Sequence, residues 1–294
     1  MVRRRAIILI GSASGEILKL QVKAQEGSRW VLEHHELEIP LNVSEAPEEL
    51  QIGDTIEVFL YVDRRGNLSA TTQLPTIQKG TYGWAKVIKV TDNEGAFVDI
   101  GTTKEVLVKS EDLPKLRELW PANGDHLYIT LRTDKDGELF GRVATEDRVE
   151  ELYIDAPTTM LNQNVVARPY RLLPVGTFLL SFPENYRIFV HESERTEEPR
   201  LGQDVTVRII DTKEDGSLNG SLLPRRHERL GDDAESIFRY LNDVGGRMPF
   251  TDKSDPGEIQ EMFTMSKAAF KRALGKLMKE KKIVQKDGWT ELNS

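Results

Sequence analysis

GDTIEVFLYVDRRGNLSA at Gly53–Ala70, GDHLYITLRTDKDGELFG at Gly124–Gly141 and GQDVTVRIIDTKEDGSLNG at Gly202–Gly220 share one pattern. Each has a Gly, an alternating apolar run, a charged turn ending in Gly and a second short apolar run. The first Gly precedes the turn Gly by 13 residues in the first two copies and by 14 in the third. In the first copy Ile56, Val58, Leu60 and Val62 alternate with Thr55, Glu57, Phe59 and Tyr61. That period of two predicts a hairpin strand with one buried face, leaving the rings on the other face exposed or set against a neighbour. A recurrence of roughly 70 residues is too long for a solenoid unit and fits whole small domains in tandem.

Working outward, each hairpin closes a module. The first has strands around Ile17–Val22 and Arg29–Leu32. The second opens with YGWAKVIKVTDNEGAFVDIG at Tyr82–Gly101, followed by EVLVKSEDL and a predicted short helix, PKLRELW at Pro114–Trp120. Five short strands with a helix between the third and fourth is the order of a small Greek-key barrel. The polar stretch 147–163 reads as a linker. Past Leu223 the apolar period lengthens to three and four. A helix is expected over Asp233–Val244, a second from the Ser254-Asp255-Pro256 start, and a third capped by Ser266. On the third, Phe270, Ala273, Leu274, Leu277 and Met278 fall on one arc, with Arg272, Lys276 and Lys279 opposite. A hairpin at Ile283–Leu292 completes a winged-helix arrangement. The expected organisation is therefore mainly β and multidomain: barrels at 1–75, 76–146 and 164–228, and an α+β winged helix at 229–294.

Composition limits the function. The 294 residues include 30% charged residues, no cysteine and a net charge of −8. Disulfides, thiolate metal sites and a Cys nucleophile are absent together, which fits a reducing compartment, so the cytoplasm is the expected location. No apolar run approaches the roughly 18–20 residues of a membrane span. The apolar run AIILI after Met1–Arg5 is shorter than the roughly 7–15 residues of a signal-peptide core and reads as the lead-in to a strand. Charge is uneven: Ser266–Lys286 holds eight bases and one acid, net +7, leaving −15 on the rest. An acidic body with a basic C-terminal segment points either to a local nucleic-acid contact there or to a solvated helix face.

GAFVDIG at Gly95–Gly101 and RIFVHESER at Arg187–Arg195 are similar to segments of the S1-like RNA-binding domain, an OB-fold variant. The order of three such modules and a winged helix, with LPKLRELWP, EEPRLGQ, MPFTDKSDPGEI and MSKAAFKRALGKLMK, resembles the bacterial conserved virulence factor B family over essentially the full length. That resemblance implies single-stranded RNA as ligand and an effect on gene expression, with bases stacked on exposed rings and cations on phosphates. Carried over by position, the stacking residues are Phe97 and Phe178, with Trp30 as the equivalent in the first module. The family's loop His falls on His191, and Lys109 takes its place in the second module. Lys267, Lys271, Arg272, Lys276 and Lys279 are the expected contacts of the winged helix. The chain departs from the S1 pattern where a second aromatic often precedes the GAF turn, since Glu94 and Val175 stand there. Asn67, Glu138 and Ser217 follow the hairpin Gly where an Arg is usual.

Each of these residues has a plainer reading. Phe97 and Phe178 could be core residues, Trp30 and Trp84 interdomain packing, and His191 a loop cap. His34 and His35 cannot share a strand face, and no further His or Cys completes a metal site. There is no Walker motif or dinucleotide fingerprint, so neither an enzyme nor a bound cofactor, metal or small-molecule substrate is expected. Two alternatives to the RNA reading stay open: a DNA-binding winged helix whose barrels recruit a partner, and a protein-interaction scaffold.

Overall fold

The computed structural model describes residues 13–293 apart from Glu36 and Arg64, and gives residues 226–232 by backbone alone. The expected lead-in strand around Ala6–Ile10 lies outside the described residues. The chain divides into two compact units, Met1–Leu222 and Leu223–Ser294.

The first unit holds three closed five-stranded barrels. Their strands are β1 (Ile17–Glu26), β2 (Arg29–His34), β3 (Leu37–Asn42), β4 (Thr55–Val62) and β5 (Leu68–Thr71); then β6 (Gly83–Thr91), β7 (Gly95–Asp99), β8 (Val106–Lys109), β9 (His126–Thr133) and β10 (Leu139–Val143); then β11 (Asn164–Leu173), β12 (Gly176–Ser181), β13 (Arg187–His191), β14 (Val205–Thr212) and β15 (Leu218–Ser221). In each barrel the third strand pairs in parallel with the fifth, at Leu41 with Ala70, Leu107 with Phe140 and Ile188 with Leu218. In each the first strand breaks register at the same place, between Val22 and Ala24, Val87 and Lys89, and Pro169 and Arg171. Such a bulge bends a long strand so that it can serve both sides of a closed barrel. The alternation read in the sequence fills the interiors: Ile56, Val58, Leu60 and Val62 pack into the first core.

The expected helix Pro114–Trp120 is instead a single 3-10 turn at Arg117–Leu119. Pro114 and Pro121 bracket a segment too short to offset the cost of an α-helical nucleus. Trp120 is buried, its indole N–H donates to the Pro114 carbonyl, and Arg117 stacks on its ring 4.1 Å away. The linker contains one short helix, α1 (Glu146–Glu150).

Neighbouring barrels share apolar contacts. Phe59, on the outer face of β4, is 1% exposed and belongs to the second barrel's core. Between the second and third barrels the loop before β14 docks on the second. Leu201 enters its core, the Leu201 N–H donates to the Leu119 carbonyl, and the His126 N–H donates to the Gly202 carbonyl at 2.9 Å. Arg200 grips Asp125 with two hydrogen bonds of 3.1 and 3.3 Å. The buried Arg168, paired with Asp204 at 2.6 Å, lies over Trp84. Trp84 thus serves this joint, the interdomain role open to it from the sequence.

The second unit contains α2 (Arg226–Asp243), β16 (Arg247–Met248), α3 (Pro256–Phe263), α4 (Lys267–Lys279), β17 (Ile283–Lys286) and β18 (Trp289–Leu292), with sheet order β16-β18-β17. Asp255 caps α3 by accepting from the Gly257 and Glu258 N–H groups, and Ser266 caps α4 by accepting from Ala269 N–H. Phe270, Ala273, Leu274 and Leu277 are buried as their arc predicts, but Met278 is 39% exposed. It lies at the edge of the apolar arc, one residue past Leu277, which takes the inward position on the last turn.

Candidate nucleic-acid interface

The outer faces of the second and third strands carry the residues that the S1 resemblance singles out. Pairing fixes which residues are equivalent. In each barrel the last residue of the third strand (Asn42, Lys109, His191) leads into a 3-10 turn. Counting back from it, Phe97 opposite Leu107 corresponds to Phe178 opposite Phe189, and to Val31 opposite Pro40 in the first barrel. Trp30 is therefore one residue out of register with the Phe pair. Because strand side chains alternate, that single step turns it inward. It is 8% exposed within the first core and offers no ring face, which corrects the expectation drawn from GSRWVL.

In the third barrel both rings are half-buried, with centroids 4.9 Å apart. Tyr170 lies 6.3 Å beyond Phe178, and His191 lies 6.4 Å beyond Phe189. The Arg187 guanidinium is 4.9 Å from the Phe178 ring, Arg171 is 5.9 Å from it, and Lys213 lines the adjoining concavity with Phe178, Arg187 and Phe189. One ring platform results, flanked by these three cations, with the Asp215 carboxylate also lining its concavity. His191 is exposed, and its Nδ1 accepts from the Ser193 N–H at 3.2 Å. The ring therefore caps the turn while bordering the platform. At the platform's inner margin the Tyr153 and Tyr170 hydroxyls share a hydrogen bond, and burial raises the Tyr170 phenol far above its ordinary value. Glu146 of α1 pairs with Arg171 and approaches Arg187 to 4.0 Å. Phe189, Arg187, Arg171 and Lys213 were not singled out in the sequence. Phe189 stands two residues before His191, and aligning the strand ends would have placed it opposite Phe178.

The second barrel keeps the Phe97 ring position but has Leu107 in place of the second ring, and a different charge. Phe97 and Lys109 line an open cavity of about 610 Å³ together with Phe140, Tyr61, Lys104 and six carboxylates. Lys89 lies 5.4 Å from the Phe97 ring and Lys109 lies 4.4 Å from Phe140. Position by position, Glu94, Glu105, Asp134 and Glu138 stand where the third barrel has Val175, Arg187, Lys213 and Ser217.

On α4, Lys271, Arg272 and Lys279 are exposed while Lys267 and Lys276 are half-buried. Lys271 is 3.6 Å from Asp252 and Lys276 is 4.0 Å from Glu280, and the basic stripe faces away from the core. Among the described residues no three His, Asp or Glu side chains are grouped to hold a metal, and no helix is long and apolar enough to cross a membrane.

Known proteins share this layout. Residues 14–73 match an S1 domain, 82–142 the first S1-like domain of the conserved virulence factor B model, 149–224 the second domain of virulence regulatory factor CvfB, and 235–292 the CvfB-like winged helix domain. Conserved virulence factor B of Staphylococcus saprophyticus is 49% identical over 93% of this chain and 92% of its own.

The chain belongs to the conserved virulence factor B family.

The Staphylococcus epidermidis member is 47% identical, covering 95% of this chain and 97% of its own length. A solved structure from Streptococcus pneumoniae, described as a multidomain protein with nucleic acid binding domains, is 38% identical with a TM-score of 0.68. It covers 96% of this chain and 99% of that one. The family models describe a virulence regulatory factor assembled from S1-like and winged-helix domains.

Proposed function

We propose that this family member binds single-stranded RNA through the third barrel, with the basic helix of the winged-helix unit as a second contact, and so regulates gene expression after transcription. The observation that carries the reading is the Phe178–Phe189 platform with Arg171, Arg187 and Lys213 around it. Rings spaced like these receive unpaired bases on their faces, at about 1–3 kcal/mol per stacked base, while guanidinium and ammonium groups neutralise phosphates. A duplex hides its base faces, so the platform favours single strands. The second barrel's Phe97 has an equivalent position, but its carboxylates oppose a phosphate chain. We therefore place the RNA path on the third barrel, with His191 at its edge. Two modest contacts on one chain add avidity through effective concentration.

Titrating labelled single-stranded RNA, single-stranded DNA and duplex DNA at two ionic strengths tests this. Arg187→Glu/Lys213→Glu is expected to weaken single-stranded RNA binding by more than about tenfold and to reduce its salt dependence. Duplex preference lost in Lys271→Glu/Arg272→Glu would instead favour a DNA-binding winged helix, a reading supported by the exposed stripe on α4. Unchanged RNA affinity in Arg187→Glu/Lys213→Glu would refute the third-barrel assignment.

A further inference from the structure

We infer that the second barrel's outer face is a docking groove for an arginine-bearing segment of a partner protein. Its floor is aromatic and apolar, formed by Phe97, Leu107, Phe140 and Tyr61, and its volume of about 610 Å³ is that of a built ligand site. Glu94, Glu105, Asp134 and Glu138 come from the second barrel itself, and the turns after β4 and β3 of the first barrel contribute Asp63 and Glu45. Among the described lining residues, only Lys104 and Lys109 offset these six carboxylates.

Two observations give the groove its occupant. The first is a charge inversion within one fold. At four equivalent positions the third barrel has Val175, Arg187, Lys213 and Ser217 in place of Glu94, Glu105, Asp134 and Glu138, with the Phe97/Phe178 ring position unchanged. A face built on the same strands whose balance of charge runs from cationic, beside Asp215 and Glu146, to strongly acidic selects a ligand of opposite sign. The second is that Oε2 of Glu45 is shielded from solvent and receives no hydrogen bond among the described residues. A shielded carboxylate oxygen without a donor is costly, and an incoming N–H group would relieve it. Rings beside carboxylates suit a side chain with an apolar stem and a planar cationic head, and arginine meets both better than a compact ammonium. The chain already shows the ring half of this contact, with Lys109 4.4 Å from the Phe140 centroid.

The test uses the full chain and a fluorescent peptide alternating Gly and Arg, followed by anisotropy at low ionic strength. Glu105→Arg/Asp134→Lys, which writes the third barrel's charges onto the second, is expected to weaken peptide binding by more than about tenfold. Glu258→Lys/Glu261→Lys on α3 makes the same change in net charge without altering a residue that lines the groove and is expected to leave binding unaltered. Phe140→Ala is expected to weaken binding without changing any charge, and thermal melts confirm that each variant folds. Equal weakening in the α3 variant would reduce the effect to bulk charge and overturn the proposal. So would no peptide binding, or displacement of the peptide by spermine at equal concentration of positive charge. The groove stands apart from the RNA reading: failure of Arg187→Glu/Lys213→Glu to alter RNA binding sinks that reading and leaves peptide binding untouched.

Discussion

Gly53, Gly124 and Gly202 occupy the same place in three copies of one hairpin, yet only one of them should be indispensable to how barrels join. Each has positive φ, at 97°, 96° and 76°, and each donates its N–H to a first-strand carbonyl, on Val22, Val87 and Pro169. An added Cβ at Gly53 or Gly124 meets nothing within 4 Å, whereas at Gly202 it would sit 2.1 Å from the His126 carbonyl oxygen. Alanine at Gly53 or Gly124 therefore costs only backbone strain, about 1–2 kcal/mol. At Gly202 the second and third barrels must also move apart by more than an ångström. The joint then loses the His126-to-Gly202 and Leu201-to-Leu119 hydrogen bonds, each worth about 0.5–1.5 kcal/mol. The total of about 2–5 kcal/mol corresponds to a fall in Tm of roughly 4–20 °C for a unit of this size. Scanning calorimetry of Gly53→Ala, Gly124→Ala and Gly202→Ala measures the difference, with the transition of the second unit as an internal reference. Agreement between Gly202→Ala and Gly124→Ala to within about 1 °C would refute the view that this loop fastens the two barrels.

Three further outcomes follow from the same geometry. Phe178→Ala should weaken single-stranded RNA binding by about 1–3 kcal/mol in an anisotropy titration, and no change would remove the ring from the binding path. Burial, reinforced by Arg168 and Lys86 against the opposing pull of Asp204 and Asp125, holds the His126 imidazole below its ordinary 6.5. A folded value lower than the unfolded one contributes stability that is complete above the ordinary value and is lost as pH falls through the folded value. The first unit's Tm should drop between about pH 7.5 and pH 5.5 by more in the parent than in His126→Gln, and parallel curves would exclude the imidazole as the cause. Ser266→Ala removes the side-chain acceptor for Ala269 N–H and should destabilise the second unit by about 1 kcal/mol in urea, with the first unit's midpoint unchanged.

Legibility in the sequence followed the range of the interactions involved. The hairpins were legible because Ile56 to Val62 alternate and because a Gly pair frames every turn, which are local properties of a strand. The winged helix was legible because Asp255, Pro256 and Ser266 announce helix starts. PKLRELW misled because its apolar spacing is helical while Pro114 opens it and Pro121 stands just past it, leaving too few residues for a helix. Trp30 misled because a ring near a Gly turn resembles the stacking position, and only interstrand pairing shows that it is one step out. The ring platform was half legible: Phe178 follows from the motif, but Phe189 and Arg187 join it across a strand pair. The contrast between Glu105 and Arg187 carries no signal along the chain. It emerges once both are counted back four residues from the end of the third strand, from Lys109 and His191.

Phe59 has a consequence for biosynthesis. Its strand is synthesised ahead of residues 83–143, so the first barrel can close before the second is complete and with this ring still facing water. For that interval the nascent chain carries an adhesive spot, a hazard for any folding intermediate. The spot disappears when the next barrel wraps around it, so the first barrel serves as a template for the second. A fragment cut after the first hairpin would keep its fold and gain a tendency to self-associate, and one starting at β6 would fold around a missing ring.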